Sequence, residues 1–311
     1  MTADWLVFSG TSNPALAMAI ARELDIHLGA RSIERFPDGE VAVRVDQPVR
    51  GRSIFLVQPT APPVDENLIE LLALTDACRR AAAARVTAIV PYFGYGRSDK
   101  RHAHREPITA SLIARLVEVS GVDHLVVIDL HTPQIEGFFH IPVDVLTAVP
   151  TLCEALRSQL PPGTVVVAPD AGRVKMATRY AERLGAPLAV LHKRRTSGTE
   201  TAVTHLVGDV RDRACLVIDD MISTGGTIAE SVAALQAAGA RPGITVAATH
   251  GLLVAGARER LDQDEISGIF VTDTITSTHE DWPRLHTISV APLLATAIRR
   301  LAADGSLSDL F

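Results

Sequence analysis

The sequence predicts an α/β protein in two tandem domains, each a mostly parallel sheet flanked by helices. Three observations carry this prediction. Along the 311 residues, short apolar runs repeatedly end in polar turn clusters and give way to segments with helical spacing. Hydrophobic residues make up 47% of the chain but aromatic ones only 4%, so the core is built from Ala, Val, Leu and Ile, which suits helices layered on sheets. One pattern also recurs: Val126-Val127-Ile128-Asp129-Leu130-His131-Thr132 is echoed by Leu216-Val217-Ile218-Asp219-Asp220 and the Ser223-Thr224 that follows. This is a weak internal repeat in a chain long enough for about two domains.

In order, Leu6-Val7-Phe8 reads as a strand. Ser9 to Pro14 is a polar loop, with Asn13 suited to cap the helix over Ala15 to Leu24 and Pro14 suited to its first turn. Arg35-Phe36-Pro37-Asp38-Gly39-Glu40 is a turn by its Pro-Asp-Gly chemistry, leading into a strand over Val41 to Val45. Ser53 to Gln58 is a strand, Glu66 to Ala84 a helix, and Val86 to Val90 a buried strand. The stretch 91–107 is a loop, aromatic and then basic. Aromatic faces suit stacking on a base and arginines suit phosphates; the alternative is a solvated charged loop with its aromatics in the core. Ile108 to Val119 is a helix, and a strand from Leu125 ends at Asp129-Leu130-His131-Thr132. Pro142 and Pro150 punctuate a hinge.

The alternation then resumes. Val165 to Ala168 is a strand ending at Pro169-Asp170-Ala171-Gly172-Arg173, and Met176 to Leu184 is a helix. Leu188 to Leu191 is a strand ending at His192-Lys193-Arg194-Arg195, followed by a Gly-containing loop over 196–200 that reads as mobile. Ile228 to Ala238, Thr245 to Ala248, Ile269 to Thr274 and Leu293 to Ala303 read as helix, strand, strand and final helix.

The most informative stretch is Leu216 to Ile228. An apolar strand stops at Asp219 and Asp220, a Ser223-Thr224-Gly225-Gly226-Thr227 loop follows, and a helix begins. Ligands of open α/β sheets bind at such a turn. A helix start presents unpaired N–H groups and partial positive charge, and glycines let a phosphate come close. The acids suit sugar hydroxyls or a divalent cation. Together they point to a sugar phosphate.

Net charge is −6, so no global attraction to nucleic acid or to a membrane surface is expected. Cys78, Cys153 and Cys215 are far apart and form no CxxC, which reads as thiols in a reducing compartment. The apolar runs are too short to span a membrane, and Met1-Thr2-Ala3-Asp4 lacks a basic leader, so a cytoplasmic place is expected.

Several of these stretches occur together, in order, in one family. The chain resembles the ribose-phosphate pyrophosphokinases in Phe36-Pro37-Asp38-Gly39-Glu40, Tyr92 to Arg97, Arg105 to Thr109, Asp129-Leu130-His131, Pro133 to Phe139, Pro169 to Gly172, Lys193-Arg194-Arg195 and the 216–228 loop. The resemblance implies two phosphoribosyltransferase-type domains, 1–145 and 146–292, with a tail over 293–311 packing back on the first. It implies pyrophosphoryl transfer from ATP to the 1-hydroxyl of ribose 5-phosphate with Mg2+, in a homo-oligomer that is a hexamer or dimer-based. It further implies that Lys193 and Arg195 are catalytic and that Phe36, Asp38, Gly39, Glu40, Arg97, Ser98 and Asp99 bind ATP, the turn over 36–40 acting at a neighbouring subunit. Asp219 and Asp220 would hold the ribose hydroxyls, Ser223, Thr224, Gly225, Gly226 and Thr227 the 5-phosphate, and His131 and Asp170 the metal. The residues alone leave His131 open between a ligand and a hydrogen-bonded loop residue.

Ser223 stands where many of the family carry Asp, Ser98 where Gln is common, and Ala103-His104 where Arg-Ser is common. These departures leave open whether ATP or ADP is the donor and whether phosphate or ADP regulates. Two other readings are a catalytically silent paralogue, which should have lost the loop cations or metal positions, and a phosphoribosyltransferase, which would leave the Arg97 and 36–40 stretches unexplained.

Overall fold

A computed structural model describes residues 5–310 apart from 102, 196–200, 255 and 280, with backbone alone for 193–195 and 201–204. The strands are β1 (Trp5–Ser9), β2 (Arg31–Arg35), β3 (Val41–Val45), β4 (Ser53–Val57), β5 (Arg85–Val90), β6 (His124–Ile128), β7 (Val143–Leu146), β8 (Val165–Ala168), β9 (Leu188–Arg195), β10 (Thr201–Val207), β11 (Cys215–Ile222), β12 (Ile244–Gly251), β13 (Ile266–Thr272) and β14 (Leu285–Ile288). The helices are α1 (Pro14–Leu24), α2 (Val64–Arg80), α3 (Thr109–Val119), α4 (Val149–Arg157), α5 (Val174–Leu184), α6 (Gly226–Ala237), α7 (Ala257–Leu261) and α8 (Ala291–Leu301).

The chain divides into two units, Met1–Thr147 with Thr274–Thr276 and Ser289–Phe311, and Ala148–Asp273 with Ser277–Ile288. The first holds a parallel sheet in the order β1-β4-β5-β6-β7. Ile54, Leu56, Ala88, Val90, Leu125 and Val127 share a core with Leu71 and Leu74 of α2 and Ile113 and Val117 of α3. Side chains alternate along a strand, so Phe55, Val57, Ile89, Val126 and Ile128, also buried, line the other face. Both faces are covered, which is why these strands read as continuous apolar runs. Burying one such Leu or Ile contributes about 1.5–3 kcal/mol.

The C-terminal segment belongs to this unit. Helix α8 packs on α1, the Thr147 N–H donates to the Leu310 carbonyl at 3.3 Å, and the Thr276 hydroxyl donates to the Ser12 carbonyl at 2.9 Å. Strands β2 and β3 form a separate antiparallel hairpin, of which only β3 was expected.

The second unit holds a sheet in the order β10-β9-β8-β11-β12-β13-β14, parallel except for β10 against β9. The chain leaves β8 on one side to build β9 and β10, then returns to place β11 on the other side. The sheet therefore has a switch point between β8 and β11, where ligands bind at the carboxyl ends of such strands. Helix α6 buries Ile228, Val232 and Leu235, the spacing of one helical face.

Several elements differ from the sequence expectation. Strand β9 runs on to Arg195 and pairs with β10, while the loop read as mobile, 196–200, lies outside the described residues. The stretch read as a hinge carries β7 and the start of α4. Among the described residues, no helix is long and apolar enough to cross a membrane.

Candidate active site

At the switch point, Asp170 ends the β8 segment with an extended backbone. Its Oδ1 accepts from the Gly172 N–H at 2.8 Å and the Arg173 N–H at 3.2 Å, capping the single 3-10 turn Ala171–Arg173 that opens into α5. Arg173 turns across to β11. Its Nε lies 2.9 Å from Asp219 Oδ1 and its Nη2 2.9 Å from Asp220 Oδ1. Asp219 is 7% exposed and Asp220 1%. The Asp220 N–H also donates to Asp219 Oδ1 at 2.8 Å. Burial, and next the charge of Asp220, push the Asp219 carboxyl well above the usual carboxylate range, and Arg173 opposes this.

After β11 the chain makes the tight loop Ser223-Thr224-Gly225 and enters α6. Its carbonyls are held from behind. Leu253 N–H donates to the Ile222 carbonyl and Val254 N–H to that of Ser223, both at 3.0 Å, and Arg260 Nη1 donates to that of Thr224. Gly225 has φ +76°, and a Cβ there would stand 2.8 Å from Leu261 Cγ. Gly226 is different: a Cβ would meet nothing nearer than Thr224 Oγ1 at 3.9 Å. Helix α6 has no side-chain cap bond at its start, and the first N–H groups of a helix have no partner within it. Ser223, Thr224, Gly226 and Thr227 are all at least partly exposed. The start of α6 thus presents exposed hydroxyls and an unobstructed Gly226, with the two carboxylates three and four residues before Ser223 at the end of β11.

In the first unit, Arg97 is exposed and Ser98 partly so. The aromatics before them are not open to a base. Tyr92 and Phe93 are each 5% exposed, and Phe93 meets Phe139 edge-on at 5.8 Å. The stacking role considered for this loop is therefore corrected for these two: they are core residues, since the loop leaves directly from the buried strand β5. Tyr95 turns its hydroxyl to Asp65. Asp99 is 5% exposed, and its Oδ2 accepts from Thr132 Oγ1 and Gln134 Nε2, both at 2.8 Å. His131 is partly exposed at the carboxyl end of β6, beside Asp129, whose φ of +39° is strained for a non-glycine residue. Phe36, Asp38, Gly39 and Glu40 form the exposed hairpin tip, closed by Gly39 N–H to Phe36 carbonyl at 2.9 Å and Glu40 N–H to Asp38 Oδ1 at 3.1 Å.

Lys193 and Arg195 lie in β9, opposite Val203 and Thr201, and their side chains are outside the described residues. His131 belongs to the first unit and Asp170 to the second. Asp170 supplies hard oxygen, and its Oδ2 accepts no hydrogen bond from the described residues. Among the described residues no three His, Cys, Asp or Glu side chains gather into a metal cage. Two cations were not singled out from the sequence, Arg173 and Arg260. Their partners lie 46 and 36 positions away, and only the proximity of Arg173 to Asp170 hinted at it.

Comparison with known proteins places this geometry. Residues 5–121 match the N-terminal domain of ribose phosphate pyrophosphokinase, and residues 197–311 the phosphoribosyl synthetase-associated domain. A ribose-phosphate pyrophosphokinase of Rhodopirellula baltica is 46% identical over 98% of both chains, and one of Thermotoga maritima is 45% identical over 98% of this chain and 97% of its own. The crystal structure of phosphoribosylpyrophosphate synthetase from Mycobacterium smegmatis superposes with a TM-score of 0.90 at 41% identity, covering 97% of this chain and 99% of that one. The chain belongs to the ribose-phosphate pyrophosphokinase family.

Proposed function

We propose that the protein transfers the pyrophosphoryl group of ATP to the 1-hydroxyl of ribose 5-phosphate, giving phosphoribosyl pyrophosphate and AMP. The observation that carries this reading is the buried Asp219–Asp220 pair at the switch point, ahead of a glycine-rich helix start with exposed hydroxyls. The acids accept hydrogen bonds from the 2- and 3-hydroxyls. The amides and hydroxyls of Ser223 to Thr227 take the 5-phosphate, and Arg260, bound to the Thr224 carbonyl, adds positive charge behind it. A ribose gripped at both ends presents its 1-hydroxyl in one direction, so much of the rate comes from positioning.

Arg97 and Ser98 bind the ATP phosphates. Asp99 acts as their anchor rather than as a direct contact, because its carboxylate is buried and ties their loop to the one carrying His131. Phe36, Asp38, Gly39 and Glu40 bind the adenosine. Their exposure on a projecting hairpin supports a site on a neighbouring copy in a homo-oligomer. Lys193 and Arg195 stabilise the negative charge spread over the phosphoryl oxygens during in-line displacement. Asp170 and His131 hold Mg2+, which supplies charge neutralisation to the triphosphate when bound. With the division 1–145, 146–292 and the 293–311 tail on the first domain, the residues read as binding adenosine and those read as binding ribose 5-phosphate fall in different domains. Soluble substrates and three cysteines that form no disulfide support a cytoplasmic place.

The test is direct. Purified protein with Mg2+, ATP and ribose 5-phosphate is expected to release AMP in equal amount to phosphoribosyl pyrophosphate, and AMP at background with saturating substrates overturns the reading. Lys193→Ala is expected to lower kcat about 10²–10³-fold while ribose 5-phosphate still binds, as for removal of one preorganised donor.

A further inference from the structure

We propose that Arg173 is the positioning residue of the ribose-hydroxyl site, a guanidinium clamp that holds Asp219 and Asp220 side by side so that together they grip a vicinal diol. The inference rests on the ribose 5-phosphate reading of that site and assigns the residue that gives the site its shape.

Adjacent residues of a strand point to opposite faces of the sheet. Asp219 and Asp220 are adjacent at the carboxyl end of β11, and the strand direction alone would part their carboxylates. Yet one guanidinium edge meets both: Nε takes an oxygen of Asp219 and Nη2 an oxygen of Asp220, each at 2.9 Å. Arg173 takes Oδ1 from each carboxylate, rather than both oxygens of one as in a fork-to-fork pair. The bridge ties one oxygen of each carboxylate to a single guanidinium edge, and so sets the spacing of two groups that a cis-diol must address together.

The clamp is also rigidly mounted. The Arg173 backbone N–H is fixed by Asp170 Oδ1, the residue ends the capped 3-10 turn, and α5 starts immediately after it. The Arg173 side chain is 15% exposed and those of its partners 9% and 1%, so the pair is not a screened surface contact. A planar, permanently charged fork is needed for this; an ammonium would supply charge without the two fixed directions. A site whose buried acceptors are fixed for two hydroxyls discriminates against a sugar lacking one, because an acceptor is then left unpaired. Arg173 thereby sets selection of ribose 5-phosphate over 2-deoxyribose 5-phosphate.

The experiment compares the full-length protein with Arg173→Gln and Arg173→Lys. Calorimetry reads binding of ribose 5-phosphate and of inorganic phosphate, and steady-state rates read KM and kcat for both sugars and for ATP. In Arg173→Gln, Kd and KM for ribose 5-phosphate are expected to rise about ten-fold or more, with inorganic phosphate binding and the KM for ATP essentially unchanged and the preference for the 2-hydroxyl reduced. Arg173→Lys is expected to recover part of the affinity but not the preference. A role in folding alone would instead weaken phosphate and sugar phosphate binding in parallel and lower the unfolding temperature. That result, unchanged affinity for ribose 5-phosphate, or tighter binding once a guanidinium blocking the site is gone, each overturns the clamp. Wild-type protein that binds phosphate but not ribose 5-phosphate overturns the functional reading itself, and the clamp with it.

Discussion

Gly225 and Gly226 stand side by side in the phosphate loop, but different constraints act on them. Gly225 holds φ +76°, and Leu261 packs where its Cβ would go, so Ala there meets both backbone strain and a clash. Left-handed backbone costs a non-glycine residue about 1–2 kcal/mol, so Gly225→Ala is expected to lower stability by that much or more. Gly226 has ordinary helical φ and open space in front of it. Gly226→Ala is expected to leave the unfolding midpoint unchanged or slightly raised, since Ala is the better helix former, while ribose 5-phosphate binding weakens because the methyl group fills the space the phosphate enters. Chemical unfolding and calorimetry on the two variants separate the roles, and equal loss of stability in both would show that the loop does not keep one glycine for the ligand. The Asp-Asp-x-x-Ser-Thr-Gly-Gly-Thr stretch was legible in the sequence because its chemistry is local: acids, hydroxyls and glycines within nine residues. Arg173 was not, because its meaning comes from a contact that exists only once β8 and β11 are neighbours.

At the scale of elements, buried parallel strands were read readily, since burial on both faces makes each a continuous apolar run. Pieces without an apolar run were missed, β2, β10 and β14 among them. Strand β10 (Thr-Ala-Val-Thr-His-Leu-Val) mixes polar and apolar residues, and β14 has two exposed positions in four, so neither shows an apolar run. One internal fastening between strands carries a pH dependence. His124 at the start of β6 is 5% exposed. Arg85 of β5 donates from Nη2 to its Nδ1 at 3.0 Å, so Nδ1 is the unprotonated nitrogen, and Nε2–H donates to Asp144 of β7 at 2.7 Å. Burial lowers the His124 pKa below its ordinary 6.5, Asp144 acts against this, and Arg85 adds to it. Between that lowered value and 6.5 the unfolded chain binds more protons than the folded one, so stability rises with pH there. The contribution is complete above 6.5 and is lost as pH falls towards the folded value. Urea unfolding of the wild type between pH 5 and 8 should show this slope, and His124→Gln should lack it; identical slopes would remove His124 as its source.

At the scale of the whole molecule, the chain begins the first unit, builds the second, and returns to finish the first with α8. The return is held by packing: Leu294 and Ile298, four residues apart, are fully buried, as are Leu16 and Ile20 on α1. If each unit has its own core, weakening α8 should affect one unit and spare the other. The two tryptophans permit the measurement, for Trp5 lies in β1 and Trp282 is buried in the core of the second unit. Leu294→Ala is expected to remove about 2–5 kcal/mol, the range for a large-to-small core change. In a Trp282→Phe background the remaining fluorescence should show that loss as an earlier unfolding midpoint. In a Trp5→Phe background the midpoint should stay where it was, and saturating ribose 5-phosphate should raise it, because a ligand stabilises the unit that binds it. A common shift of both reporters would instead mean that the two cores unfold as one cooperative unit, with α8 stabilising the ribose 5-phosphate site from the far end of the sequence.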